Sequence, residues 1–249
     1  IVHDGIYGTL DGEQPVQAST LYDLASITKI AASTLSLMRL EEEGKIALNT
    51  SLDTYLPELE GTDMGSRQLR DILSHRAGLQ SWIPFYLAAL EDSTAFSPVR
   101  TEDHPERISD ACFMRPAWRD SIWDRIVASE VDPVGTHRYS DLGYYALQRI
   151  IEGLTGQGLD PYTTEQFYTP AHWHSLGFKP AKNTMGLIAP TEVDTVFRRC
   201  TVQGDVHDPG AAMLGGVCGH AGLFGNAYDV ARLMYMLRMG GTYGGGDFF

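Results

Sequence analysis

Apolar residues keep a helical rhythm in several stretches of the chain and give way to glycine-punctuated, strand-like pieces near both ends. After Thr20-Leu21-Tyr22-Asp23-Leu24-Ala25, the residues Ile27, Ile30, Ala31, Leu35 and Met38 recur at helical spacing and predict a helix with one apolar face. Leu37 and Leu40 fall on another side, the one that carries Ser26 and Lys29, so this helix is apolar on two sides, as a buried helix is. Glu41-Glu42-Glu43-Gly44 gives it a polar end and a C-cap glycine, and a serine at its start can cap free amides. Further helices are predicted over 66–73, over 141–153 (Leu142, Tyr145, Ala146, Ile150, Ile151) and over 227–239 (Val230, Leu233, Met234, Met236, Leu237). Ile1-Val2-His3-Asp4-Gly5 and Tyr7-Gly8-Thr9-Leu10-Asp11-Gly12 read as short strands with glycine turns. The glycines from Gly215 to Gly225 mark close backbone packing.

This order of elements predicts an α+β fold in one domain over 1–249. A sheet-containing part comes from 1–50 and 201–249, and a mainly helical part over 51–200 is inserted between them. The span 81–125, rich in Trp, Phe, Tyr, Pro and Arg, has no clear period. There is no internal repeat, low-complexity tract or interdomain linker.

Composition narrows the picture only a little. A chain of 249 residues with 43% hydrophobic and 20% charged residues can bury a sizeable core. No run approaches the roughly 18 apolar residues of a membrane-spanning helix. The formal charge of −13 repels phosphate backbones and argues against nucleic-acid binding. Basic residues are mostly Arg; the lysines are Lys29, Lys45, Lys179 and Lys182. Cys112, Cys200 and Cys218 are odd in number and widely spaced, which fits neither a disulfide framework nor a zinc site and suits small buried residues. Ile1 rather than Met stands first and no secretory leader is visible, so the N-terminus is processed or the chain is part of a longer one.

Candidate chemistry centres on Ser26 and Lys29, three apart at the start of a helix and therefore on one face. A serine hydroxyl is a poor nucleophile until a base takes its proton. A lysine one turn away can serve if burial and the positive end of the helix favour its neutral form. The same helix start offers amides for an oxyanion. On the pattern alone a second reading stands beside this one, a capping serine followed by an exposed lysine. Lys29 lies among Ile27, Ile30 and Ala31 rather than on a charged face.

Thr20-Leu21-Tyr22-Asp23-Leu24-Ala25-Ser26-Ile27-Thr28-Lys29 resembles the nucleophile segment of the serine β-lactamase and penicillin-binding-protein family, in its class C-like branch of β-lactamases, D-alanyl-D-alanine peptidases and esterases. Leu73-Ser74-His75-Arg76-Ala77-Gly78-Leu79 resembles a structural segment of that branch. Arg138-Tyr139-Ser140-Asp141-Leu142-Gly143-Tyr144-Tyr145 resembles its second box, Tyr-x-Asn followed by a helix. Gly219-His220-Ala221-Gly222-Leu223-Phe224 with Asp229-Val230-Ala231-Arg232 resembles a further segment, and all come in the family's order.

The resemblance implies a mostly antiparallel sheet flanked by helices plus a helical subdomain, and acyl transfer through a Ser26 ester. Lys29 and Tyr139 would manage the protons. Substrates would be D-alanyl peptides, β-lactams, or simple esters and amides, and no cofactor or metal is implied. A tyrosine beside a lysine cation suits proton exchange, although Tyr139 standing alone reads more readily as a buried core tyrosine. Asp141 stands where the family has asparagine; it keeps acceptors and can pair with Lys29, but lacks the amide donor that would hold a substrate.

The family's third box, Lys-Thr-Gly or His-Thr-Gly on a strand, is expected beyond Phe249, since His220-Ala221-Gly222 runs quickly into a helix. Val206-His207-Asp208 and 211–216 are similar to domains that follow a glycosidase in some envelope proteins. That implies a fused glycosidase domain, a peptidoglycan-peptide substrate and a periplasmic, extracellular or cell-envelope location. The competing function is a catalytically inactive module that binds wall peptides or penicillin. His172-Trp173-His174 reads as a surface turn, because no third ligand lies at metal spacing. Neither a Gly-x-Ser-x-Gly elbow nor a Walker-type glycine loop occurs.

Overall fold

The computed structural model describes residues 3, 5–181 and 187–249. Ile1, Val2 and Asp4 of the first strand-like piece, and Lys182, lie outside the described residues. After an exposed turn closed by the Leu10 amide on the Gln14 carbonyl, β1 (Tyr22–Asp23) leads into the helix that was predicted. Its first part, Lys29–Thr34, is wound as π-helix and runs without a break into α1, Leu35–Glu42. Gly44 closes it at φ +70°, the left-handed conformation a C-cap glycine supplies.

One of the two predicted apolar faces of this helix is not wholly buried. Ala31 and Leu35 are buried as expected, but Ile27, Ile30 and Met38 are exposed, Ile30 to 45%. The second apolar side, which carries Lys29, Leu37 and Leu40, is buried as read, together with Ala32, Ser33 and Ser36. Two causes act together. The wider π turn, which bonds i to i+5, breaks the three-and-four spacing on which the predicted stripe rests. The small side chains of Ala31, Ala32, Ser33 and Ser36 let neighbouring helices come close, and Ser36 returns its hydroxyl to the Ala32 carbonyl at 2.8 Å.

Of the helix expected over 66–73, only α2 (Leu69–Leu73) forms, because 62–67 are taken up by turns that the Thr62 hydroxyl and carbonyl close. The aperiodic span that follows holds a small antiparallel sheet of β2 (Phe96–Ser97), β3 (Glu106–Ser109) and β4 (Cys112–Met114), in the order β2-β4-β3. Helix α3 covers Pro116–Val127, and α4 covers Leu142–Thr155 and ends on Gly156 in the left-handed region. Then come β5 (Gly177–Phe178), β6 (Glu192–Asp194), β7 (Cys200–Val202), α5 (Pro209–Met213), β8 (Leu223–Gly225) and α6 (Ala227–Arg238). The Asn226 side chain caps α6 by accepting from the Asp229 amide.

The sheet beside the Lys29 helix has the order β1-β8-β5, all antiparallel. It joins the early part of the chain to the late part, with a strand from the middle on the far side of β8. Trp173 is fully buried against Phe248 and Tyr243, and His172 and His174 on either side of it are exposed. Cys112 and Cys218 are buried and Cys200 is half-buried; all three are free thiols. Burial pushes the Cys112 thiol up to about 11. Among the described residues no helix is long and apolar enough to cross a membrane.

The β6–β7 hairpin is tied down by Arg198, whose side chain is wholly buried. Its guanidinium donates to Asp194 at 2.8 Å, to Glu192 at 2.8 Å, and to the carbonyls of Val206 at 2.6 Å and His207 at 2.9 Å. Burial works against the charge on Asp194, yet Arg198 and the backbone amides of 196–198 bring its carboxyl down to about 2. Removing one member of such a pair strands the other. Arg198→Met is therefore expected to destabilise the chain by about 3–5 kcal/mol. Urea midpoints measure this, and a variant as stable as the parent would contradict it.

Candidate active site

The turn that presents Ser26 is built by short-range bonds. The Leu24 amide bonds to the Leu223 carbonyl of β8, which fixes the turn to the sheet. One carboxylate oxygen of Asp23 accepts the Ala25 amide at 2.8 Å, and the other accepts the His207 amide at 2.6 Å. Ala25 sits at φ +45°, a left-handed conformation that costs a residue with a Cβ about 1–2 kcal/mol. The strained residue directly precedes Ser26, which is exposed at the mouth of the turn. The Ser26 amide has no acceptor among the described residues.

Lys29 is the opposite, only 3% exposed. Its ammonium donates to Ser26 Oγ at 2.9 Å and to the His220 carbonyl at 3.4 Å, and it pairs with Asp141 Oδ1 at 2.6 Å. The ammonium's hydrogen bonds thus go to Ser26 and His220, while Asp141 Oδ1 meets it as an ion pair without hydrogen-bond geometry. The faces of Tyr139 and Tyr144 lie 4.7 and 5.5 Å from the charge.

The Tyr139-Ser140-Asp141 segment is positioned by the 73–81 passage. The Ser140 amide donates to His75 Nδ1 at 3.2 Å, the Ser140 hydroxyl to the Gln80 carbonyl at 2.6 Å, and the Asp141 amide to the Ser81 carbonyl at 2.9 Å. His75, at φ +57°, lays its ring 4.4 Å from that of Tyr139. Burial and then the Lys29 charge lower the His75 imidazole below its ordinary value. Asp141 immediately precedes α4, where the positive end of the helix favours a carboxylate. The structure thus brings Ser26, Lys29, Tyr139 and Asp141 into one cluster. Tyr139 is 46% exposed and meets Lys29 with its ring; its hydroxyl makes no hydrogen bond among the described residues.

The glycine-rich passage closes the cluster from the other side. The Leu223 amide donates to Thr28 Oγ1 at 3.1 Å, Ser33 Oγ to the Gly219 carbonyl at 2.7 Å, and the Gly219 amide to Gln148 at 2.9 Å. A Cβ at Gly219 would collide with the Tyr144 carbonyl, so this approach of α4 requires glycine.

Within the passage His220 is buried, and its Nε2 lies 3.0 Å from Asp208 Oδ1. Asp208 also caps α5 by accepting the Ala211 amide at 2.7 Å. Burial would raise the Asp208 carboxyl, but His220, the Ala211 amide and Lys29 bring it down to about 2. Burial likewise opposes charge on His220, yet Cys218 and Asp208 carry its imidazole well above the usual range. Ligand-type atoms of Asp141, Asp208 and His220 lie within 4.8 Å of one another, and the cation at this cluster is the Lys29 ammonium. The sequence reading did not select Asp208. Asp208-Pro209 is a helix-start signature that places the carboxylate, but nothing in the spacing pairs it with His220.

A Ser-x-x-Lys turn at the start of a buried helix thus faces a Tyr-x-Asp turn beside an antiparallel sheet. The family model described as Beta-lactamase matches residues 1–246. A protein of Escherichia coli (strain K12) named as a D-alanyl-D-alanine carboxypeptidase is 34% identical over 263 residues, covering 95% of this chain and 55% of its own length. The N-acetylmuramyl-L-alanine amidase of Bacillus subtilis (strain 168) is 33% identical over 249 residues, covering 92% of this chain and 52% of its own. A class C β-lactamase from Rhodobacter sphaeroides superposes with a TM-score of 0.64 at 20% identity, covering 94% of this chain and 56% of that one. The chain belongs to the β-lactamase family, and its fold is α+β as the resemblance implied. It spans about half the length of the curated relatives it matches.

The pair of buried His220 and half-buried Asp208 gives the fold a pH signature. Asp208 stays ionised in the folded chain down to about 2, against an ordinary 3.8, so its stabilisation is complete above the ordinary value and is lost as pH falls through 2. His220 has the opposite sign: its contribution is present below 6.5 and is lost as pH rises through its raised folded value. Asp208→Asn is expected to be less stable at neutral pH and to lose less stability than the parent between about pH 4 and 2. Thermal midpoints across that range test this; identical acid slopes would contradict it.

Proposed function

We propose that this chain is a serine hydrolase that works through an acyl-enzyme on Ser26. The observation that carries the proposal is an exposed serine hydroxyl 2.9 Å from a buried lysine ammonium, at a helix start whose serine amide has no acceptor among the described residues. Ser26 Oγ bonds to the substrate's carbonyl carbon while its proton passes to Lys29 Nζ in its neutral amine form, or to the Tyr139 oxygen as that hydroxyl hands its own proton to the leaving group. The Ser26 amide donates to the oxyanion. The leaving group takes the proton as its bond to carbon breaks, and water then attacks the ester and frees Ser26. In the resting arrangement Lys29 is the donor to Ser26, so it gives up a proton before it can accept the serine's.

The names of the relatives, a D-alanyl-D-alanine carboxypeptidase and an N-acetylmuramyl-L-alanine amidase, support a peptidoglycan-peptide substrate and a cell-envelope setting. Asp141 would hold a substrate as an acceptor only. The Lys29–Asp141 ion pair at 2.6 Å favours a second reading, a wall-peptide-binding module in which the ammonium keeps its proton and Ser26 is never acylated.

A fluorescent penicillin and an alkyl fluorophosphonate separate the two readings. Stoichiometric labelling of the parent is expected, with none in Ser26→Ala. Lys29→Ala should slow labelling by about 10²–10⁴-fold, the range of general acid–base contributions. No labelling of the parent by either probe would sink the hydrolase reading and leave the binding module.

A further inference from the structure

The Asp208–His220 pair has no part in the acyl-transfer scheme, yet it lies against the group on which that scheme turns. The Lys29 ammonium bonds to the His220 carbonyl. The ligand-type atoms of Asp141, Asp208 and His220 fall within 4.8 Å of one another, and Lys29 sits 2.6 Å from Asp141. Lys29 and His220, both buried, therefore form one electrostatic unit with the half-buried Asp141 and Asp208.

The elements around it hold the pair in place. Asp208 is fixed as the cap of α5. The imidazole of His220 is stacked 4.6 Å from the Tyr145 ring of α4, and its Nδ1 has no hydrogen-bond partner among the described residues, so Asp208 alone holds the ring by a hydrogen bond. On the far side of Lys29 stand His75, Tyr139 and Tyr144. Two carboxylates beside one lysine would leave the unit with net charge −1 and bind the lysine's proton more tightly. One protonated imidazole on Asp208 brings the sum to zero and leaves Asp141 as the only uncompensated anion facing Lys29.

We infer that His220 and Asp208 are positioning residues of the Ser26 site: an imidazolium–carboxylate pair that cancels the second carboxylate and thereby sets how readily Lys29 releases its proton. The inference deepens the hydrolase reading and rests on it for its catalytic meaning. The charge balance itself can be measured without any substrate.

With so few lysines, ¹³Cε-lysine NMR resolves Lys29 directly, its signal assigned by its loss in Lys29→Arg. In His220→Gln the Asp208 charge is left uncompensated, and the Lys29 titration is expected to move up by about one pH unit or more. In the double variant His220→Gln/Asp208→Asn both charges are gone, and the midpoint should return to within about half a unit of the parent. The pH dependence of Ser26 labelling by fluorescent penicillin should follow, with His220→Gln about tenfold slower at pH 7 and the double variant restored.

An unmoved Lys29 titration in His220→Gln, or a double variant as shifted as the single one, would overturn the inference. If the parent is not labelled at any pH, the hydrolase reading fails while the lysine titrations still decide the charge balance. Should His220→Gln not fold, ¹⁵N-histidine spectra of the parent decide: a doubly protonated His220 ring at pH 7.5 is expected, and a neutral ring overturns the pair.

Discussion

A lysine ammonium buried beside an aspartate carboxylate is the interaction on which the rest of this structure depends. Taking two such charges out of water costs several kcal/mol each, and only close geometry with every donor and acceptor occupied offsets that. The surroundings of Lys29 read as answers to that demand. The Lys29 helix brings the cation, the start of α4 brings the anion where the helix favours negative charge, and the glycine passage brings a carbonyl acceptor for the ammonium. Three separate parts of the chain are thereby committed to one small volume. Moving any of them would leave a charge buried without its partner.

The same commitment reaches outward through the backbone. Arg198 holds the carbonyls of Val206 and His207, the His207 amide bonds to Asp23, and Asp23 bonds to the amide of the strained Ala25. The hairpin that Arg198 anchors is therefore continuous with the turn that presents Ser26. Strain at a functional turn persists only where the surroundings over-determine it, and this chain of bonds supplies the determination.

Much of the site was legible in the sequence because its partners are local or carry short motifs. Ser26 and Lys29 are one turn apart, and Tyr139 and Asp141 share a Tyr-x-Asp turn ahead of a helix whose periodicity is plain. What escaped depends on tertiary structure. The outward face of Ile27, Ile30 and Met38 could not be read, because helical spacing assumes α winding and the segment begins as π-helix. The sheet over 96–114 is hidden by aromatic and arginine residues that show no alternation. Asp208 looks like a helix cap and is one; its second partnership, with His220, comes only from the passage folding back across α4.

The π-wound segment carries a further consequence, for how this family can vary. A π turn accommodates a residue more than the α turn it replaces. Loss of one residue between Lys29 and Leu35 would let this turn relax to ordinary winding while the Ser26–Lys29 end keeps close to its orientation on α1, because the widened turn takes up its extra residue in nearly the same sweep of angle. A one-residue gap within α1 itself would instead turn everything before it by about 100° and carry the ammonium away from its carboxylate. Here the count of residues carries information that their identities do not: homologous sequences should absorb a single-residue gap within 30–34 sooner than within 35–42.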